Sequence, residues 1–282
     1  MTVHIKICCV ASIDEARMAA AAGANALGLV AAMPSGPGPI DEDLIGEIAA
    51  AVRAQSAAWS AQGSAPGSVP GSAPGTAPHP APPVQTFMLT PKLRAHDIIA
   101  QHQRCQTSTL QLVDAVPHDE LRRLREALPT VQLVQVIHVT GASSIDEALA
   151  VAPLVDALLL DSGNPRAAVK ELGGTGRTHN WGVSRQIVAA SPVPVYLAGG
   201  LSPDNVAEAI ARVRPFGVDV CSGLRSQGRL DAVKLQAYVR AVRGTVVVSN
   251  LQTGLQPNGH PNRHRDHPHN APQNPQHRLE NL

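Results

Sequence analysis

Short apolar runs alternate along this chain with stretches in which apolar positions return every three or four residues, and the alternation repeats eight times. The runs are VHIKIC (3–8), NALGLV (25–30), VQTFML (84–89), STLQL (108–112), VQLVQVIHV (131–139), DALLL (156–160), PVYLA (194–198) and FGVDVC (216–221). Their length and nearly continuous apolar character predict parallel strands covered on both faces. The intervening stretches read as helices. Ser12 opens the first, with Glu15 three residues on completing a capping box and Gly23 as its stop. The second starts near Asp41 and places Leu44, Ile45, Ile48 and Val52 on one face. Leu93, Ile98 and Ile99 mark the third, and Leu121, Leu124 and Leu128 the fourth. A second capping box, Ser144 with Glu147, opens the fifth, and the sixth begins near Trp181. Ser202 as N-cap and Pro203 in the first turn then introduce Val206, Ala209, Ile210 and Val213, and a closing helix spans about 230–243. Eight strand-plus-helix units predict an α/β fold of the closed (βα)8 barrel type in a single domain, in preference to an open doubly wound sheet. The fragment SIDEA recurs at 12–16 and 144–148. Either two ordinary capping boxes or a duplicated half-barrel accounts for it.

Two segments interrupt this pattern. Residues 55–83 repeat an S-(A/V)-P-G theme that sustains neither helix nor ladder and reads as a disordered Ala/Pro/Gly/Ser-rich insertion. Residues 245–282 read as a disordered polar tail rich in His, Pro and Asn. The barrel is therefore assigned to residues 1–54 and 84–244. The insertion follows a helix and precedes a strand, so it belongs to the N-terminal face of the barrel, away from the catalytic end. The tail histidines at 260, 264, 267, 269 and 277 lack rigid spacing, and no metal site is expected.

Charge narrows the partners. Lys plus Arg (23) balance Asp plus Glu (22), which leaves no broad positive field for nucleic acid or anionic lipid. MTVHIKICCV is too short and too soon interrupted to be a signal peptide or a membrane span, and a cytoplasmic location is the default expectation. The four cysteines, Cys8, Cys9, Cys105 and Cys221, have neither framework nor C-x-x-C spacing, so reduced thiols are expected.

Barrels of this type present ligand-binding groups at the C-terminal ends of their strands. Lys6, Cys8 and Cys9 stand at the end of the first, with Lys6 and Cys8 on one face by period-two alternation and Cys9 on the other. Gln111 lies near the end of the fourth strand, His138 on the fifth, Asp161 after the sixth and Asp219 on the eighth. Cys8 is either a small buried hydrophobe or a thiolate favoured by Lys6. Asp161 is either a helix-capping carboxylate or an active-site group. Glycines cluster in the last three loops: Gly173-Gly174-Thr175-Gly176, Gly199-Gly200 and Ser222-Gly223. Backbone N–H groups exposed there at helix N-termini suit a phosphate, and the expected ligand is a phosphorylated small molecule.

Taken in order, IKIC (5–8), GANALGLV (23–30), LQL (110–112), VDALLLDS (155–162), GGTGRTHNW (173–181), YLAGGLSPDNVAEAI (196–210) and GVDVCSG (217–223) resemble the phosphoribosylanthranilate isomerase family across nearly the whole core. The resemblance implies a cofactor-free Amadori rearrangement of N-(5-phosphoribosyl)anthranilate in tryptophan biosynthesis. It assigns Asp161 as general acid and Cys8 as general base. It places substrate and phosphate contacts at Gly174, Thr175, Gly199, Gly200, Asp219, Ser222 and Gly223. It leaves monomer and homodimer both open. Departures from the family pattern are Cys9 where glycine is usual, Ser35-Gly36-Pro37-Gly38-Pro39 where an arginine for the anthranilate carboxylate is usual, Val113-Asp114 in place of His-Gly, and His179-Asn180 in place of Phe-Asp. Arg177 and His138 are the candidates to meet that carboxylate, His138 reading equally as a packed strand residue. A barrel enzyme for another phosphosugar and a non-catalytic phosphate-ligand binder are the alternative functions.

Overall fold

The computed structural model describes residues 2–62, 83–163, 172 and 176–252. Its central element is a closed barrel of parallel strands: β1 (His4–Ile7), β2 (Ala26–Val30), β3 (Gln85–Thr90), β4 (Thr109–Leu112), β5 (Gln132–His138), β6 (Ala157–Asp161), β7 (Val195–Leu197) and β8 (Gly217–Val220). Each lies within one of the apolar runs or extends it by a single residue. Closure comes from β1 pairing with both β2 and β8, with Lys6 opposite Ala26 on one side and Asp219 on the other. The helices are α1 (Ile13–Ala21), α2 (Glu42–Gln62), α3 (Ala95–Cys105), α4 (His118–Ala127), α5 (Ser143–Val151), α6 (Trp181–Ala190), α7 (Val206–Val213) and α8 (Ala232–Gln252).

Two apolar layers follow from the alternation of strand side chains. Ile5, Ile7, Leu27, Leu29, Leu110, Leu133, Leu158, Leu197 and Val218 point outward and meet Ile45, Ile48, Leu121, Leu124, Ile187, Ile210 and Tyr238 from the helices. Ala26, Val30, Phe87, Leu89, Val134, Val136, Ala157, Leu159 and Tyr196 fill the interior.

Several boundaries move. Residues 55–62, assigned to the insertion, continue α2, and 245–252, assigned to the tail, continue α8. Both stretches lack proline, and the first prolines beyond them are Pro66 and Pro257, so nothing local breaks the backbone ladder. Residues 63–82 of the insertion and 253–282 of the tail, with the five tail histidines, lie outside the described residues. Ser12 does cap α1, accepting from Glu15 N–H at 3.1 Å. Ser144 instead lies inside α5, where it accepts from Thr140 N–H and donates to the His138 carbonyl, so the second capping box does not form. Asn205, not Ser202, stands at the N-cap of α7. A hairpin of β9 (Arg225–Ser226) and β10 (Arg229–Leu230) follows β8 and was not legible in the pattern.

That hairpin explains Glu15. Its carboxylate accepts from Ala11 N–H (3.0 Å) and Leu230 N–H (2.8 Å) and pairs with Arg225 (3.3 Å), tying the first unit to the last. Burial pushes the Glu15 carboxyl up, but the N–H donors and the Arg225 guanidinium outweigh it and hold it below the usual glutamate range. A depressed folded pKa contributes stability above the unfolded value and loses it as pH falls through the folded value. Glu15→Gln is therefore expected to cost about 1.5–3 kcal/mol at neutral pH, read by urea unfolding. The gap to wild type should narrow below the ordinary glutamate pKa. A pH-independent gap would refute this account.

Candidate active site

The C-terminal ends of the strands enclose a cavity of about 640 Å³, including space open to solvent. Cys8, Val30, Leu89, Gln111, Asp161, Gly199, Gly200, Asp219 and Ser222 line it. Cys8 and Asp161, from β1 and β6, are thus brought to one site.

Its floor is ionic. Lys6 and Asp219, register partners on β1 and β8, are both buried, and Lys6 Nζ donates to Asp219 Oδ1 at 3.0 Å. The ammonium also sits 5.3 Å from the centre of the Phe87 ring. Burial disfavours the charge on Lys6, but the Asp219 carboxylate and the Cys8 sulfur outweigh it and hold its pKa above that of ordinary lysine. Gly28 of β2 leaves the space for this cluster. A Cβ there would lie 2.7 Å from Cys8 Sγ and 3.0 Å from Lys6 Nζ. Asp219 thus lines the cavity and is at the same time paired with Lys6, a partner that the strand pattern alone did not name. The pairing was latent in the sequence, because closing an eight-strand barrel sets β1 beside β8.

Burial pushes the Cys8 thiol up to about 11, and the nearby Lys6 ammonium only partly offsets it. The free protein therefore holds Cys8 as a thiol at neutral pH. Its alkylation by iodoacetamide, mapped by peptide mass spectrometry, is expected to accelerate about tenfold per pH unit between pH 7 and 9. A rate already level across that range would show a thiolate formed at lower pH and defeat the prediction.

Asp161 Oδ1 accepts from the N–H (2.7 Å) and hydroxyl (3.4 Å) of Ser162, which fixes the carboxylate at the rim. His179 was not singled out as a site residue by the sequence, yet it stands beside both this carboxylate and a glycine loop. Its Nε2 meets Ser184 Oγ at 2.7 Å, its Nδ1 has no hydrogen-bond partner among the described residues, and a Cβ on Gly199 would lie 3.0 Å from that Nδ1. Burial lowers the His179 pKa, against a smaller pull upward from Asp161. His138, offered as a carboxylate partner, instead hydrogen-bonds the Val113 carbonyl through Nε2 at 2.9 Å and does not line the cavity.

The glycine loops converge as expected where they are described. Gly199 and Gly200 take φ of +82° and +63°, and a Cβ on Gly200 would stand 2.6 Å from the Arg177 carbonyl carbon. Gly223 packs so closely that a Cβ would collide with the Leu201 carbonyl, locking the loops after β7 and β8 together. Ser222 lines the cavity beside them. Gly174 and Thr175 lie outside the described residues.

The cysteine expectations need two corrections. Cys9 and Cys221 form a disulfide, although reduced thiols were expected. Cys9 also does not continue the strand alternation, because β1 ends at Ile7 and Cys9 turns to φ +60°, which brings it to the cavity wall. Sequence spacing across 212 residues carries no sign of the pairing, whereas barrel closure sets the two strand ends side by side.

The model of the N-(5'-phosphoribosyl)anthranilate (PRA) isomerase family matches residues 93–241. The chain belongs to this family. A curated isomerase of that name from Haloferax volcanii is 40% identical over 187 residues, spanning 58% of this chain and 82% of the relative. N-(5'-phosphoribosyl)anthranilate isomerase 2 of Methanosarcina mazei is 31% identical over 250 residues, covering 88% and 98%. Among solved structures, a PRA isomerase in complex with reduced 1-(o-carboxyphenylamino)-1-deoxyribulose 5-phosphate superposes with a TM-score of 0.63 at 21% identity, covering 86% of this chain and all of that one. That likeness is one of fold. In this PRA isomerase family member a cysteine and an aspartate, Cys8 and Asp161, share one cavity, and the Cys9–Cys221 disulfide lies at its wall.

Proposed function

We propose that this chain is a phosphoribosylanthranilate isomerase in which Asp161 and Cys8 divide the proton transfers. Family membership, together with both side chains lining one cavity, carries the reading. The reaction opens the furanose ring of N-(5-phosphoribosyl)anthranilate and moves the carbonyl from C1 to C2. Asp161, protonated, gives its proton to the ring oxygen. The C1–O bond breaks, and the anilino nitrogen lone pair forms the C1=N iminium. Cys8, as thiolate, takes the C2 proton, and those electrons neutralise the iminium to give an enolamine. A proton is then added at C1 and the proton of the C2 hydroxyl is released, which leaves the C2 ketone. Electron pairs move within the substrate and protons pass between it and the two side chains, so one acid and one base suffice.

The site geometry fits both ends of that substrate. On this reading the phosphate is held by backbone N–H groups of Gly199-Gly200, both at positive φ, and of Ser222-Gly223. The aromatic ring packs on Val30, Met33 and Leu89, which form an apolar part of the wall. The Lys6 ammonium beside Cys8 favours the thiolate that takes the C2 proton, against the burial that opposes it.

The test follows the fluorescence of phosphoribosylanthranilate with purified protein. Loss of the signal at an ordinary enzymatic rate supports the assignment. A stable signal at substrate concentrations that saturate binding overturns it.

A further inference from the structure

We propose that the Cys9–Cys221 disulfide is a positioning element for the isomerisation, holding the Cys8 base in fixed relation to the phosphate loop so that turnover depends on the oxidation state of the pair. The proposal rests on the reading of Cys8 and Ser222-Gly223 given above. Each half of the crosslink adjoins one half of the chemistry: Cys9 follows Cys8, and Cys221 precedes Ser222.

The parallel ladder between β1 and β8 ends at Ile7 opposite Val220, followed by one last hydrogen bond from Cys8 N–H to the Val220 carbonyl at 2.8 Å. Beyond that point the two chains diverge into separate loops. The disulfide is the covalent link that continues where the ladder stops, with the two Cα atoms 5.9 Å apart. It holds Cys9 in the left-handed region at φ +60°, a conformation that a non-glycine residue adopts only with support from its surroundings. That support extends to a third loop. Gly38, at φ +78°, lies so close that a Cβ would stand 2.7 Å from the Cys9 Cβ. Arg225, paired with Glu15, donates to the carbonyls of both Cys8 and Cys9 and holds the base loop from below. On the other side Gly223 abuts Leu201, so the phosphate loop after β8 is fixed to the one after β7. A rigid connection therefore runs from the Cys8 backbone through two sulfurs to both phosphate loops. Small errors in base placement are costly because proton abstraction needs the base in contact with the reacting carbon.

Reduction by a dithiol breaks this connection. Two electrons pass from the dithiol, which closes to its own cyclic disulfide, and the Cys9 and Cys221 sulfurs each leave as a thiol with one of the dithiol's protons. The loops keep their hydrogen bonds but lose the constraint between them.

Full-length protein purified without reductant should contain two titratable thiols after denaturation, Cys8 and Cys105, out of four cysteines. Dithiothreitol should raise the count to four and lower kcat on the order of tenfold, with KM for phosphoribosylanthranilate changed less than about twofold, because the phosphate loops remain locked to each other. Reoxidation with glutathione disulfide should restore kcat. The variant Cys9→Gly with Cys221→Ser should turn over at the rate of the reduced protein and ignore dithiothreitol, glycine being chosen because it accepts the left-handed backbone. Four thiols in the untreated protein, or a kcat indifferent to reduction, overturns the proposal. Measurement of the untreated protein in the same series separates the two readings. Absent turnover rejects the isomerase and the crosslink's role with it, whereas turnover insensitive to the dithiol rejects the crosslink's role alone.

Discussion

Cys8→Ala is expected to lower kcat by about 10²–10⁴-fold, the usual contribution of a positioned acid or base, while KM for phosphoribosylanthranilate hardly moves. On the proposed assignment the cysteine sulfur meets the proton being removed and not the phosphate, so its loss is felt in the transition state rather than in substrate binding. Cys8→Ser discriminates further. Serine keeps the size and a hydroxyl but is far less acidic than a thiol, so it should be nearly as impaired as alanine; near-normal serine activity would mean that Cys8 fills space and another group takes the proton. Asp161→Asn should fall by a similar factor, because the amide retains the shape and the Ser162 contacts but has no acidic proton to give to the ring oxygen. Because ring opening and proton abstraction are successive parts of one sequence, the double variant should be less impaired than the product of the single effects. Fluorescence turnover with circular dichroism as the folding control measures all four proteins. A Cys8→Ala enzyme that retained wild-type kcat would remove the general-base assignment.

The second large effect is one of stability. Asp219→Ala leaves the Lys6 ammonium buried in the barrel with its carboxylate partner gone, and breaking a buried pair from one side costs about 3–5 kcal/mol. For a domain of this size each kcal/mol lowers Tm by about 2–4 °C, so a drop on the order of 10 °C is expected in a thermal melt. Lys6→Met combined with Asp219→Leu should recover much of that loss, since two apolar side chains of similar bulk ask for no compensation of charge. The coupling between the two positions is then large and favourable for the double variant. If Asp219→Ala melted within a degree or two of wild type, the pair would have to be solvated rather than buried, contrary to an Asp219–Lys6 contact at 3.0 Å with no exposure of the lysine side chain.

These expectations draw on features of unequal legibility in the sequence. The eight strands were readable because parallel strands in a barrel are buried on both faces, and DALLL or VQLVQVIHV cannot be satisfied elsewhere. Gly23 at φ +95° and Ser12 at the start of α1 were readable because caps and stops depend on a few neighbouring residues. Ser144 misled for the same reason in reverse: its local SIDEA context matches Ser12, but the loop after β5 gives its hydroxyl partners at Thr140 and His138 and moves the helix start ahead of it. The ends of α2 and α8 were set too early because composition changes before the first proline does.

By itself, then, the sequence determined the barrel, the order of its units, the strand-end placement of Cys8 and Asp161, and the glycines in the loops after β7 and β8, since each depends on periodicity or on residues close along the chain. Only the tertiary structure decided that Asp219 neutralises Lys6 under Cys8, that His179 stands beside Asp161, and that Cys9 is joined to Cys221. Those relations arise from closing the sheet, which sets β1 against β8 across more than 200 residues and buries their charges and sulfurs together. A one-dimensional pattern carries the faces of each strand, while the partners across the barrel are settled by closure and burial.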